Sequence, residues 1–210
     1  MKYDKYSYRY PPRPELQIPP EVLDELDQQE VFLAQPKLNG SCMELFTNGD
    51  EDIVMNRHKK SFSNFKMDMK ELNALHRGEG WMVLVGEYMN KNKKDETKKH
   101  WNQKFVIFDI LVYNGEHMLR STFSERQNLL NDLYPSSITK LCLRPISENC
   151  FRVQSIMSGF KEAYDLITPF DIYEGLVLKR KDGKLENGIS TTNNTRTQLK
   201  CRKPTKNYSF

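Results

Sequence analysis

The chain has 210 residues, 38% of them hydrophobic and 29% charged, with a formal net charge of +4. That length allows one well-buried core or two small domains, and the charged share suits a soluble protein with a large working surface. No apolar run nears the roughly 20 residues of a membrane span, and Cys42, Cys142, Cys150 and Cys201 form no C-x-x-C pair, so neither a membrane span nor a zinc module or disulfide scaffold is expected.

The amino terminus has no apolar signal segment, which together with the unpaired cysteines points to the cytoplasm, of a host cell if the chain is viral. The net charge is too small to demand a polyanion, but its distribution is uneven. Lysines crowd 91–104 and 179–206, whereas Asp and Glu dominate 21–30. Local positive fields of that kind attract phosphate groups, although each cluster taken alone also reads as a solvated face.

In chain order, residues 1–20 carry Tyr3, Tyr6, Tyr8 and Tyr10 among Lys2, Lys5, Arg9 and Arg13, then Pro11-Pro12 and Pro19-Pro20. They read as an extended aromatic and basic arm that docks on the body or stays loose. Single-stranded nucleic acid stacking on its tyrosines is the alternative. Residues 21–210 read as a single domain. A short helix over 21–29 is entered through Pro20. From Val31 the pattern turns to strands, 31–36, 41–47 and 52–56, joined by Asn39-Gly40 and Asn48-Gly49, both hairpin-type dipeptides.

Residues 67–77 have helical spacing and stop at Gly78. Two runs rich in Val, Ile and Phe, 82–88 and 105–113, predict buried strands. The lysine-rich stretch 90–104 between them predicts a mobile loop. An amphipathic helix follows over 124–133, with Ser124 as cap and Arg126, Leu129, Leu130 and Leu133 in period. Another helix covers 158–166. Strands over 175–180 and 197–202 flank a turn-rich segment, 182–194. The order predicts an α+β protein in which antiparallel strands supply a groove and helices pack outside.

Lys37 ends the first of the central strands, within Gln35-Pro36-Lys37-Leu38-Asn39-Gly40. An amine held there can act as a nucleophile, but free lysine has a pKa near 10.4 and must first lose its proton. Neighbouring cations disfavour the charged form, and Lys200 and Arg202, two apart on one strand, share a face. Each residue also has a plainer reading. Lys37 can be a hairpin residue, Phe108 core, Glu87 and Asp109 strand-end charges, and Lys179, Lys200 and Arg202 a solvated strand face. His58, His76, His100 and His117 read as surface residues.

Six segments nevertheless occur in order: Lys37-Leu38-Asn39-Gly40, Asn56-Arg57-His58-Lys59, Gly86-Glu87-Tyr88, Phe108-Asp109-Ile110, Glu174-Gly175-Leu176-Val177-Leu178-Lys179 and Leu199-Lys200-Cys201-Arg202-Lys203. Through them the sequence resembles the covalent nucleotidyltransferase superfamily of ATP-dependent DNA and RNA ligases and mRNA capping enzymes. The resemblance runs from about residue 35 to residue 203. It implies a nucleotidyltransferase fold (ATP-grasp-like, of the ligase adenylation kind), with antiparallel sheets, a nucleotide groove between them and outer helices. It implies ATP and Mg2+ or Mn2+ as cofactors, and nicked duplex DNA, RNA or hybrid as the partner of a monomeric enzyme.

By the same resemblance Lys37 takes AMP, while Lys200 and Arg202 line the α-phosphate and ease deprotonation of the amine. Glu174 holds the metal, and Asp109 either holds a metal or supports the lysine. Glu87 accepts from the ribose hydroxyl, Phe108 stacks on adenine, Gln35 reads the adenine amino group through its carbonyl, and Lys179 belongs to the nucleotide set. Arg57 sits near the ribose and the accepting 5′-phosphate. Lys59, Lys93, Lys94, Lys98 and Lys99 are the candidates for nucleic-acid phosphates. The implied activity is polynucleotide ligation through a lysyl-AMP intermediate, with GTP-dependent capping or a non-catalytic nucleotide-binding domain as alternatives.

Two departures stand out. Asn39 replaces the family's commonest aspartate and Cys42 replaces an arginine frequent in DNA ligases, which leaves DNA and RNA equally open. Only residues 204–210 follow the last segment, so the expectation is a catalytic domain without an OB-fold module, or one that borrows that module from another chain.

Overall fold

The structure, a computed structural model, describes residues 9–137, 142–185 and 193–204. Its strands are β1 (Arg13–Gln17), β2 (Phe32–Leu38), β3 (Ser41–Thr47), β4 (Asp52–Asn56), β5 (Met82–Met89), β6 (Lys104–Tyr113), β7 (Glu116–His117), β8 (Leu143–Pro145), β9 (Cys150–Val153), β10 (Tyr173–Arg180) and β11 (Asn194–Arg202). Its helices are α1 (Leu23–Gln28), α2 (Met69–Asn73), α3 (Phe123–Leu133) and α4 (Phe160–Ile167). One sheet runs β1-β11-β10-β2 and the other β4-β3-β5-β6-β9-β8, with β7 paired to β6. Pairing is antiparallel except for β1 with β11 and β6 with β9.

Alternation along the strands of the first sheet sorts its two faces. Ala34, Leu176, Leu178 and Cys201 are buried with Leu23 of α1 and with Phe160, Tyr164 and Ile167 of α4. The three α4 residues are spaced four and three apart, one face of a helix, and full burial of each contributes about 1.5–3 kcal/mol. The intervening residues Gln35, Lys37, Val177, Lys179, Gln198, Lys200 and Arg202 face the other way, into a cleft. The second sheet is covered on both sides. Met43, Leu45 and Leu84 pack with Leu72, Leu75 and Leu130, whereas Phe46, Val83, Val85 and Leu111 form a separate cluster. Burial on both faces explains the nearly unbroken apolar runs of β5 and β6.

Several elements differ from expectation. Asn39-Gly40 is not a hairpin turn, because β2 and β3 belong to different sheets and the dipeptide carries the chain between them. Gly40 is there for proximity. Its N–H donates to Glu87 Oε1 at 2.9 Å, and a Cβ on it would meet Tyr88 O at 2.5 Å. Asn48-Gly49 does turn β3 into β4, with Gly49 at φ +89° and Asn48 Oδ1 accepting from the N–H groups of Asp50 and Glu51. The 21–29 helix begins as a 3-10 turn over Pro20–Val22 before α1.

Helix α3 is capped by Thr122, not Ser124. The Thr122 hydroxyl accepts from Glu125 N–H at 3.3 Å and the Glu125 carboxylate accepts from Thr122 N–H at 2.7 Å, a reciprocal capping box. The short strands β7, β8 and β9 are additions, too brief to show alternation.

The described part of the arm docks: Tyr10 O accepts from Asn193 Nδ2 at 2.7 Å, and β1 adds an edge strand to β11, with Arg13 N–H donating to Asn193 O at 2.9 Å and Ile18 N–H to Lys200 O at 3.0 Å. An edge is where proline is tolerated in a sheet. Tyr3, Tyr6 and Tyr8 lie outside the described residues, as does most of the 182–194 turn segment. The 90–104 stretch, expected as a mobile loop, is hydrogen-bonded into a hairpin. Asp95 N–H donates to Lys99 O at 3.0 Å and Trp101 N–H to Lys93 O at 2.9 Å.

The Gly40 contact yields a direct test. Gly40→Ala forces β2 and β5 apart and should cost about 1–3 kcal/mol in denaturant unfolding, as overpacking does. A variant as stable as the parent contradicts this close approach.

Candidate functional site

The cleft between the sheets has a volume of about 640 Å³. Its floor is three strands read across. Lys37, Gly175 and Arg202 form one row, and Gln35, Val177 and Lys200 the next. Register between β2 and β10 shifts between Tyr173 and Gly175, and Gly175 adopts φ +140° with no room for a Cβ, which would meet Cys201 O at 2.0 Å. Such irregularities re-aim a side chain. Here Glu174 forms an ion pair with Lys37 Nζ and lies 3.4 Å from Arg202 Nε. Lys200 Nζ reaches toward Pro14 O and Glu15 O of β1, at 3.4 and 3.5 Å. Burial, then the charges of Arg202, Lys37 and Arg13, lowers the Lys200 pKa.

The second sheet supplies the opposing wall. Val83 and Val85 of β5 sit in the core, and Glu87, two further on, continues that face into the cleft. Burial pushes the Glu87 carboxyl up to about 7, with Glu174 acting in the same direction and Lys37 and the Gly40 N–H against it. Arg57 projects from the turn after β4, its Nε donating to His58 Nε2 at 3.1 Å. The Asn56 side chain builds that turn by accepting from the N–H groups of His58 and Lys60. Among the described residues the cleft lining holds Arg13, Lys37, Arg57, Lys91, Lys179, Lys200 and Arg202 against Glu87 and Glu174. That excess of positive charge suits a polyphosphate ligand.

Beneath the cleft lies a buried polar layer. Asp109 accepts from Arg126 Nε at 2.8 Å and Nη2 at 3.1 Å, and both side chains are almost fully enclosed. Burial alone would raise the Asp109 pKa, but Arg126 and Lys179 outweigh it and hold the carboxyl below its usual range. Lys179 Nζ sits between the rings of Phe108 and Phe123, 4.9 and 4.7 Å from their centroids. Burial lowers its pKa to about 8, Arg126 adding and Asp109 opposing. The Gln35 amide points inward, donating to Gln127 Oε1 at 2.9 Å and to Phe108 O at 3.3 Å.

Most of the sequence candidates converge here: Gln35, Lys37, Arg57, Glu87, Phe108, Glu174, Lys179, Lys200 and Arg202 all line the cleft. Asp109 does not, so its assignment as a metal ligand is corrected. Its carboxylate is spent on Arg126 and is 2% exposed. Lys59, Lys93, Lys94, Lys98 and Lys99 stand outside the lining, on the β4 turn and the 90–104 hairpin. His58, assigned to the surface, and Lys91 and Arg13 do border the cleft. Arg126 was the missed signal, since an arginine in the apolar stripe of a helix needs a buried partner. Among the described residues no group of three or more His, Cys, Asp or Glu gathers. Glu174 is the carboxylate that fits a divalent ion, which would need phosphate oxygens and water to complete its shell. Cys42, whose thiol burial and then Glu87 raise well above its ordinary pKa, is no nucleophile.

The ATP dependent DNA ligase domain family matches residues 16–195. The chain belongs to that family. Solved structures with the same fold include mycobacterial DNA ligase D complexed with ATP and MES, at 14% identity and TM-score 0.60, covering 96% of this chain and 62% of that one. The ligase domain of M. tuberculosis LigD matches at 14% identity and TM-score 0.62, over 95% and 60% of the two chains. A Lig E DNA ligase matches at 18% identity and TM-score 0.53, over 90% and 68%. This ligase domain thus spans about three fifths of the length of the first two structures. No curated protein gives a sequence match.

The corrected role of Asp109 predicts a stability effect. Asp109→Ala leaves Arg126 buried and unpaired, at a cost of about 3–5 kcal/mol in urea unfolding. The depressed pKa means this contribution is present above the free aspartate value near 3.9 and fades as pH falls through the lower folded value. The acid limb of the stability curve should flatten in the variant. Unchanged stability with weakened divalent-ion binding would restore the metal-ligand reading.

Proposed function

We propose that this domain is the nucleotidyl-transfer unit of an ATP-dependent polynucleotide ligase. The observation that carries the reading is the convergence of Lys37, Arg202 and Lys200, on two adjacent rows of one sheet, with Glu174 beside them, facing Glu87 and Arg57 across a cleft of about 640 Å³. Lys37 Nζ attacks the α-phosphorus of ATP. A phosphorus–nitrogen bond forms, the bond to the bridging β-phosphate oxygen breaks, and pyrophosphate leaves. AMP then passes to the 5′-phosphate of a nicked duplex, and the 3′-hydroxyl displaces it to form the phosphodiester.

The attack requires the Lys37–Glu174 pair to open and the ammonium to lose its proton. Lys200 and Arg202, on the same floor, neutralise charge gathering on the α-phosphate. Glu174, once released, is the side chain placed to hold Mg2+ or Mn2+, which supplies Lewis-acid stabilisation of phosphate oxygens when bound. Glu87 is placed to accept from the ribose, and Phe108, backed by the Lys179 cation, offers a face for adenine. Arg57 at the mouth is placed for the accepting phosphate.

Incubation with labelled ATP and divalent ion should add AMP to the wild-type protein. Lys37→Ala should abolish the adduct, and Lys200→Ala or Arg202→Ala should slow its formation by about 100-fold or more. Label taken from GTP alone would replace this reading with a capping-type guanylyltransferase. Nucleotide-induced stabilisation without any adduct would make the domain a non-catalytic binder.

A further inference from the structure

A second cavity adjoins the cleft at Phe62, which lines both. It has a volume of about 460 Å³ and lies between the segment after the β4 turn (Phe62, Asn64, Lys66) and the start and end of the 90–104 hairpin (Asn90, Asn92, Gln103), with Tyr88 beneath. Among the described residues its lining holds one cation, Lys66, and no carboxylate.

The hydrogen bonds within this lining leave it rich in donors. Gln103 Oε1 accepts from the Tyr88 hydroxyl, Asn90 Oδ1 accepts from Ser41 Oγ at 3.1 Å, and Asn92 Oδ1 accepts from Asn102 Nδ2. The side-chain oxygens of Gln103, Asn90 and Asn92 are engaged, so their NH2 groups and the Lys66 ammonium are turned to a ligand as donors, beside the Ser63 and Asn64 side chains. Aromatic surface completes the site. Phe62 and Phe65 pack on the Tyr88 ring with centroids 5.2 and 5.0 Å apart, and Phe62 is only partly buried. A cluster of donors beside a partly exposed ring matches a phosphodiester and its attached nucleoside.

We infer that this cavity binds the phosphodiester-linked nucleotide next to the break in the polynucleotide substrate. Lys66, Asn90 and Gln103 hold its phosphate, and Phe62 divides it from the AMP cleft. The inference rests on the ligase reading above. It extends the nucleic-acid contacts beyond Arg57 to a cavity adjoining the nucleotide cleft, and away from Lys93, Lys94, Lys98 and Lys99 on the outer hairpin.

The experiment uses the full chain and a nicked duplex already carrying 5′-adenylate, with AMP uptake from ATP measured in parallel. Lys66→Ala and the near-isosteric Asn90→Asp, which replaces a donor by an anion, should each raise the KM for the adenylylated nick about tenfold. Lys66→Ala should also reduce the slope of log affinity against log salt by about one phosphate contact. A KM for the nick within twofold of wild type in both variants overturns the inference. So does a rise in KM for ATP as large as that for the nick, which would make the cavity part of the ATP site. Failure of the wild-type protein to take AMP from ATP is read separately and removes the ligase proposal itself.

Discussion

The approach of the two sheets at Gly40 is the constraint on which the cleft depends. One peptide N–H bonds Glu87 Oε1 at 2.9 Å, in a space where a Cβ would lie 2.5 Å from Tyr88 O. Three residues earlier β2 carries Lys37, and Glu87 stands on the facing wall. The contact therefore sets the distance between the two walls directly, whereas a hairpin at this dipeptide would have put both strands in one sheet and left no groove.

Within the cleft, charge is arranged around scarcity of carboxylates. Among the described residues seven cations face two acids, and the irregularity at Gly175 delivers one of those acids, Glu174, to both Lys37 and Arg202. The Lys37–Glu174 ion pair offsets part of that positive charge, and a polyphosphate would offer the cations an alternative partner. Below it, Asp109 and Arg126 neutralise each other out of contact with solvent and fix the floor under Lys179 and Phe108. Removing either partner would leave a buried charge, which is why this layer belongs to stability although it lies directly under the chemistry.

Much of this was legible in the sequence because the site residues sit on strands, where a period of two fixes the face. Lys200 and Arg202, or Val177 and Lys179, could be assigned to one side from spacing alone. The features that were not legible depend on pairing between distant segments. Asn39-Gly40 has hairpin chemistry, and only the membership of β2 and β3 in separate sheets shows that it is a crossover. Asp109 looks like a neighbour of the cleft from its position after Phe108, but bulges in β6 turn it inward to Arg126. The arm from Arg13 becomes a strand because β11 has a free edge, a fact absent from its own proline-rich sequence. The Thr122–Glu125 capping box, by contrast, was written in the sequence and overlooked in favour of the nearer serine.

The central claim is that Lys37, among several lysines in or beside the cleft, is the one that becomes covalently linked to the nucleotide. Lys179 is the sharper rival, because burial brings its pKa to about 8, yet it is enclosed by Phe108 and Phe123 and faces Asp109. Peptide mapping by mass spectrometry after incubation with ATP and divalent ion distinguishes the two. The account predicts AMP on the peptide containing Lys37 and on no other. An adduct on Lys179 or Lys200, with Lys37 unmodified, would contradict it.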